Sequence, residues 1–126
     1  MVTIIVDCTQ SHYKFPEYWT PLRLKHAKME FIFNEHSHMH AIEKAVNKHI
    51  FITTTNLVPT YETMIMLEKL RDNTILVPKV FIGLSTKNNA VSCEKNKCLE
   101  MNDFNMNSYI DKYNPEIIEK GTMYSV

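Results

Sequence analysis

Apolar and polar residues along the chain switch between a two-residue and a helical period, and the switches predict the elements. Residues 2-VTIIV-6 form a continuous β-branched run that ends at Asp7, which predicts a buried strand. Residues 11–28 mix aromatic side chains with Pro16 and Pro21, and a short helix is expected near 17–27. A second strand is expected over 29-MEFIF-33. Ser37 suits a helix N-cap, and Met39, Ile42, Ala45 and Val46 then recur at helical spacing, predicting a helix over about 37–48. The run 50-IFITTT-55 predicts a third strand.

Pro59 and Thr60 open a helix predicted over 61–72. Tyr61, Met64, Ile65 and Leu67 are its apolar positions, with an acid in the first turn and Lys69 and Arg71 in the last. Segments 74-TILV-77 and 79-KVFIGL-84 read as two strands, or as one interrupted by Pro78. Beyond Ser85 the pattern fades. Residues 86–107 are rich in Asn and Lys and read as a polar surface loop or hairpin. A short helix is expected at 108-SYIDKY-113. Asn114 as N-cap and Pro115 at the first helical position predict one last turn to Lys120, stopped by Gly121.

Strand–helix–strand–helix–strand order over 29–84 points to right-handed crossovers. The expected fold class is α/β, a small three-layer domain with a mainly parallel sheet of four to five strands; an α+β sandwich is the alternative. With no repeat and no flexible linker, residues 1–126 read as one domain.

Composition narrows the function classes. Lys+Arg and Asp+Glu both number 14, so the chain lacks the broad positive field that drives nucleic-acid or anionic-membrane binding. No apolar run approaches the length of a membrane span, and the N-terminus does not resemble a signal peptide. Three cysteines, Cys8, Cys93 and Cys98, are few and odd in number, which fits a reducing, intracellular setting. Only two Gly, two Arg and four Ala stand against 11 Asn, 12 Lys and eight Met. That skew points to an AT-rich genome, a virus, phage or low-GC bacterium, and hence to the cytoplasm of an infected host cell as one setting. With two glycines, a Gly-rich phosphate loop cannot be built.

Candidate chemistry gathers where the strands of an open parallel sheet would end. Those ends carry Asp7 and His12, then Glu35, His36 and His38, then Thr54 and Asn56, then Ser85. Thr54, Asn56, Ser85 and His12 are read as ligand-binding. The stretch 34-NEHSHMHAIEKAVNKH-49 holds four of the six histidines. On a helix begun near position 36, His36, His40 and Glu43 share one face, whereas His38 and His49 flank the apolar stripe. His36, His40, Glu43 and Asp7 are therefore the candidate catalytic residues. His36, His38 and His40 are the candidate ligands of a divalent transition metal. The competing reading is a solvated polar helix face. With Ser37 as N-cap, His36 would fall outside the helix.

The H-x-H of His36 and His38 resembles strand ends of amidohydrolases and metallo-β-lactamase-like hydrolases, and with Glu43 it fits the H-x-H-x₄-E spacing of cupins. Position 40 is His where the lactamase-like pattern has Asp, and the chain is short and glycine-poor, so no family is assigned. Cys8 and Lys14 are spaced like the C-x₅-R loop of cysteine phosphatases, with Lys in place of Arg. The pair Cys93 and Cys98 is a weak zinc signal without a second pair. The segment 13-YKFPEYWTP-21 carries Phe15, Tyr18 and Trp19, which are either a protein-contact patch or a cover folded onto the core.

Two functions are expected from these features. The first is an accessory protein that acts by binding a protein partner, or a second copy of itself. The alternative is binding, or metal-assisted hydrolysis, of a nucleotide-like or phosphorylated small ligand at the strand ends.

Overall fold

The computed structural model of the protein describes residues 1–9, 18–81 and 90–125. Among these the chain is mixed α/β, with five helices and strands arranged in mixed sheets. The apolar run becomes β1 (Val2–Asp7), which is central. It pairs in parallel with β2 (Glu30–Asn34) on one edge and β3 (His49–Thr54) on the other. A fourth strand, β7 (Val91–Glu94), runs antiparallel to β3, giving the order β2-β1-β3-β7.

Alternation along these strands divides the core in two. Val2, Ile4, Val6 and Phe51 point to one side, where they meet Trp19, Met64, Leu67 and Met123. Ile5, Ile50, Ile52, Val91 and Cys93 point to the other, where they meet Ala41, Ile42, Cys98 and Tyr109. Both faces of β1 are therefore dry, which is why its sequence is a run and not an alternation. Each such fully buried side chain contributes about 1.5–3 kcal/mol of transfer free energy. The first core is covered by the segment at α1 (Thr20–Lys25) and by α3 (Tyr61–Glu68). The second is covered by α2 (His38–Lys44), α4 (Lys95–Leu99) and α5 (Met106–Tyr113).

The remaining strands form separate small sheets rather than extending the first. β4 (Leu57–Pro59) and β6 (Lys79–Phe81) flank β9 (Thr122–Ser125), antiparallel and parallel respectively. β5 (Thr74–Leu76) pairs in parallel with β8 (Glu116–Ile118). Pro78 is the switch between them. Val77 donates to Ile118 and Lys79 donates to Gly121, while Pro78 has no N–H to give to either ladder.

Several expected boundaries move. The helix expected over 37–48 stops at Lys44, because Ala45 turns to an extended backbone, and Val46 is exposed. The helix expected over 61–72 ends at Glu68. Asn114 does not begin a helix; it ends one, as the left-handed C-cap of α5 (φ 46°, ψ 52°), a conformation that Asn tolerates. The next element is the strand β8, not a helical turn.

The largest departure is in the segment expected to be a polar loop over 86–107. Residues 86–89 lie outside the described residues, but 91–94 are the buried strand β7, and α4 and the start of α5 come after it. Its polar residues survive burial because each has a partner. Ser92 Oγ accepts from the Leu76 N–H at 2.7 Å. Glu94 is 2.7 Å from the Lys97 ammonium and accepts from the Asn73 N–H at 3.2 Å.

Gly121 adopts φ +83°, and a Cβ placed there would lie 2.6 Å from Thr63 Oγ1. That hydroxyl is committed: it accepts from the Thr122 N–H at 2.8 Å and donates to the Thr122 carbonyl at 2.9 Å, clamping α3 to β9. Gly121→Ala should combine left-handed strain with displacement of this clamp and destabilise the fold by about 2–4 kcal/mol, measured by urea unfolding.

Candidate functional site

The parallel strands end together: Asp7 is in register with Asn34 on one side and Thr54 on the other. Asn34 is buried and ties the turn that leads into α2. Its side-chain amide donates to the carbonyls of His36 at 2.7 Å and Ser37 at 3.0 Å, and its Oδ1 accepts from the His36 N–H at 3.2 Å. Ser37 then caps the helix, its Oγ accepting from the His40 N–H at 3.3 Å. This makes His38 the first helical residue and brings its Nε2 to 3.3 Å from Asp7 Oδ2.

Asp7 is held from both ends. Its Oδ1 accepts from the Thr9 N–H at 2.8 Å and from the Thr9 hydroxyl at 2.6 Å, leaving Oδ2 for the imidazole. The Asp7 side chain is 13% exposed and that of His38 33%, so the pair is sheltered yet reachable. Both line a cleft of about 280 Å³. Thr54 and Val91 form part of its floor, and Phe104, Asn105, Met106 and Asn107 form a wall from the start of α5. Asn105 is the N-cap of that helix, accepting from the Ser108 N–H at 3.1 Å. No Lys or Arg lines the cleft among the described residues.

Thr53 also borders the cleft, but its hydroxyl does not serve it. Thr53 is in register with Val6, so its side chain turns to the opposite face of the sheet. Its Oγ1 is buried there with no hydrogen-bond partner among the described residues.

Of the histidines expected to act together, His36 and His40 meet and His38 is set apart from them. His36 precedes the cap and is exposed, and its ring packs on that of His40 with centroids 4.5 Å apart. His40 Nε2 is buried with no partner among the described residues. Glu43 is exposed on the α2 surface, its carbonyl accepting from Lys95 Nζ at 3.4 Å. His38 faces Asp7 instead of joining His36 and His40. Among the described residues no three His, Cys, Asp or Glu side chains gather as a metal would require, so the expected His36–His38–His40 triad is not assembled. The cause is the cap at Ser37, which turns His38 toward Asp7 and leaves His36 and His40 together away from it. His49 is bound in a surface network, 3.1 Å from Asp72, which also pairs with Lys48.

Of the residues expected to bind ligand, Thr54 lines the cleft, and its hydroxyl bonds to the side-chain oxygen of Asn56. His12, Ser85 and Phe15 lie outside the described residues. Trp19 is corrected from contact residue to core residue: it is fully buried, and its indole N–H donates to the Leu57 carbonyl at 2.9 Å. Tyr18 beside it is exposed. Cys8 is half-buried. Burial, with the carboxylates of Asp7 and Glu35 nearby, raises its thiol pKa, which opposes a role as a thiolate nucleophile.

The wall of Phe104–Asn107 was hidden in the segment read as loop. Its signal was present: Met106, Tyr109, Ile110 and Tyr113 recur at i, i+3, i+4 and i+7 behind an Asn N-cap. Asn34 had no comparable signal, since its importance lies in burial.

Replacing Asn34 by Ala removes three hydrogen bonds from the turn that aims His38. Asn34→Ala should lower stability by about 2–3 kcal/mol in denaturant unfolding and broaden the His38 ring resonances in NMR spectra, whereas the exposed Glu35→Ala should do neither.

Compared with known proteins, the sequence matches no family model and no curated protein sequence.

Proposed function

We propose that the protein binds a small polar molecule, uncharged or cationic, in the cleft at the carboxyl ends of β1 and β3, with Asp7 and His38 as a proton-transfer pair. The observation that carries this reading is the Asp7–His38 contact at 3.3 Å on the wall of a 280 Å³ cleft. A carboxylate that accepts from one imidazole nitrogen fixes its tautomer and leaves the other nitrogen to act as a base. Small-molecule sites set convergent polar groups against apolar walls, and here Asp7, His38, Thr54, Asn105 and Asn107 stand beside Ile52, Val91, Phe104 and Met106. The volume is near the lower end of the roughly 300–1,000 Å³ such sites span, which suits a ligand no larger than a nucleoside or a simple sugar.

The ligand charge follows from the lining. A phosphate would face the Asp7 carboxylate with no Lys or Arg from the described lining to offset it. Asn105, Asn107 and Thr54 instead offer neutral amide and hydroxyl groups suited to hydroxyl, amide or amine partners. The reading therefore departs from a phosphorylated ligand, and a resident metal is not needed to complete it.

Paired titrations test it. Nucleosides, simple sugars and alkylamines are each compared with a phosphorylated counterpart while amide shifts are followed by NMR. An unphosphorylated member should shift Thr54, Asn105 and Asn107, and Asp7→Asn or His38→Ala should weaken its binding about tenfold. Tighter binding of the phosphorylated member, or full binding by both variants, would overturn the proposal.

A second reading, association with a protein partner or another copy of the chain, is supported by α1. That helix buries none of its residues, and Leu24 on it is 79% exposed. Were this face a self-association surface, light scattering would give a mass above that of the monomer, reduced by Leu24→Glu; a monomer at high concentration would remove self-association from this reading.

A further inference from the structure

Cys93 is the third residue of β7 and Cys98 the fourth of α4. α4 begins directly after β7, so the chain doubles back within four intervening residues and brings the two sulfurs to 2.9 Å. A bonded disulfide is about 2.05 Å long, so closing the bond needs a movement of about 0.9 Å. Both residues are fully buried, and they sit in the second core among Ile5, Ile50, Ala41 and Tyr109. Tyr109 fixes the junction between the two elements, its Oη accepting from the Glu94 N–H at 3.1 Å.

A metal is a poor account of this pair. Two thiolates on one tetrahedral zinc, each about 2.3 Å from it, stand about 3.8 Å apart. The sulfurs are closer than that, and no third ligand joins them among the described residues.

We propose that Cys93 and Cys98 form an oxidisable dithiol that closes to an intramolecular disulfide. The partner oxidant is a peroxide, small enough to enter a packed core during local opening. One cysteine sulfur attacks the peroxide O–O bond, becomes a sulfenic acid and releases one water. The second sulfur attacks the first, forms the S–S bond and expels the sulfenic oxygen as a second water. The two thiols give up two electrons and two protons in all, and the peroxide is reduced to two waters. Because burial holds the Cys93 thiol pKa well above its ordinary value, the reaction at neutral pH is slow and gated by opening. Cys8 is not part of this chemistry. It is half-buried at the end of β1, with its thiol directed to the Val6 carbonyl.

The experiment uses the full chain carrying Cys8→Ser, so that the buried pair supplies the only thiols. The reduced protein is exposed to hydrogen peroxide, quenched, unfolded with N-ethylmaleimide and weighed intact. The expected product takes up no maleimide and is lighter than the reduced chain by two hydrogen atoms, with Cys93 and Cys98 joined in one peptide after digestion. Cys98→Ser in the same background should abolish the mass loss. Should Cys8→Ser fail to fold, the wild-type chain gives the same answer as one maleimide instead of three. Two labels retained after peroxide, oxygen added without a crosslink, or a sulfur-linked dimer would each overturn the proposal.

Discussion

β1 is covered on both faces and paired on both edges, and most of what the protein presents depends on that position. Val2 through Val6 are fully buried, and the polar residue among them, Thr3, is satisfied by Glu30 Oε1, which accepts from its hydroxyl at 2.7 Å. The first charged residue appears where the strand ends, and there it must be satisfied in a space that is already largely dry. Asp7 meets the condition with two bonds from Thr9 and a third contact from His38. The cleft is thus a by-product of how a buried parallel strand terminates: its neighbours β2 and β3 end in the same plane, and the helices beyond them leave a gap above the strand ends.

What aims a histidine into that gap is a capping arrangement. Asn34 commits its whole side chain to the turn before α2, and Ser37 commits its hydroxyl to the His40 amide in the first turn of the helix. Together they fix the helix phase. A shift of one residue would rotate His38 by about 100° and carry it away from Asp7. The same phase sets His36 and His40 against each other on the outer side. The histidines are close in sequence, yet the cap gives them different neighbours and sets only His38 against Asp7.

The second half of the sheet shows how polar residues can be core residues. β7 contains Ser92 and Glu94, and each is matched to a group outside the strand: the Leu76 amide, the Asn73 amide and the Lys97 ammonium. A partnered hydroxyl or carboxylate avoids the desolvation cost that would otherwise expel it. This is why a stretch rich in Asn and Lys can hold a buried strand, and why α4 folds straight back from it to bring two sulfurs together.

Local pattern determined the elements whose signals lie within one turn or one strand. The apolar runs at 2–6 and 50–55, the cap at Ser37 and the helix entry at Thr60 all rest on neighbours a few residues away, and all are present in the structure. Where a signal could be used in two ways the chain chose by context: Asn114 suits either end of a helix, and its left-handed backbone made it an end. Tertiary structure alone decided the rest. The division of strands among three sheets, the burial of Trp19, the paired polar residues of β7 and the Asp7–His38 contact across 31 positions of sequence depend on which segments meet. Periodicity reports the face a residue occupies, whereas only packing decides what that face is pressed against.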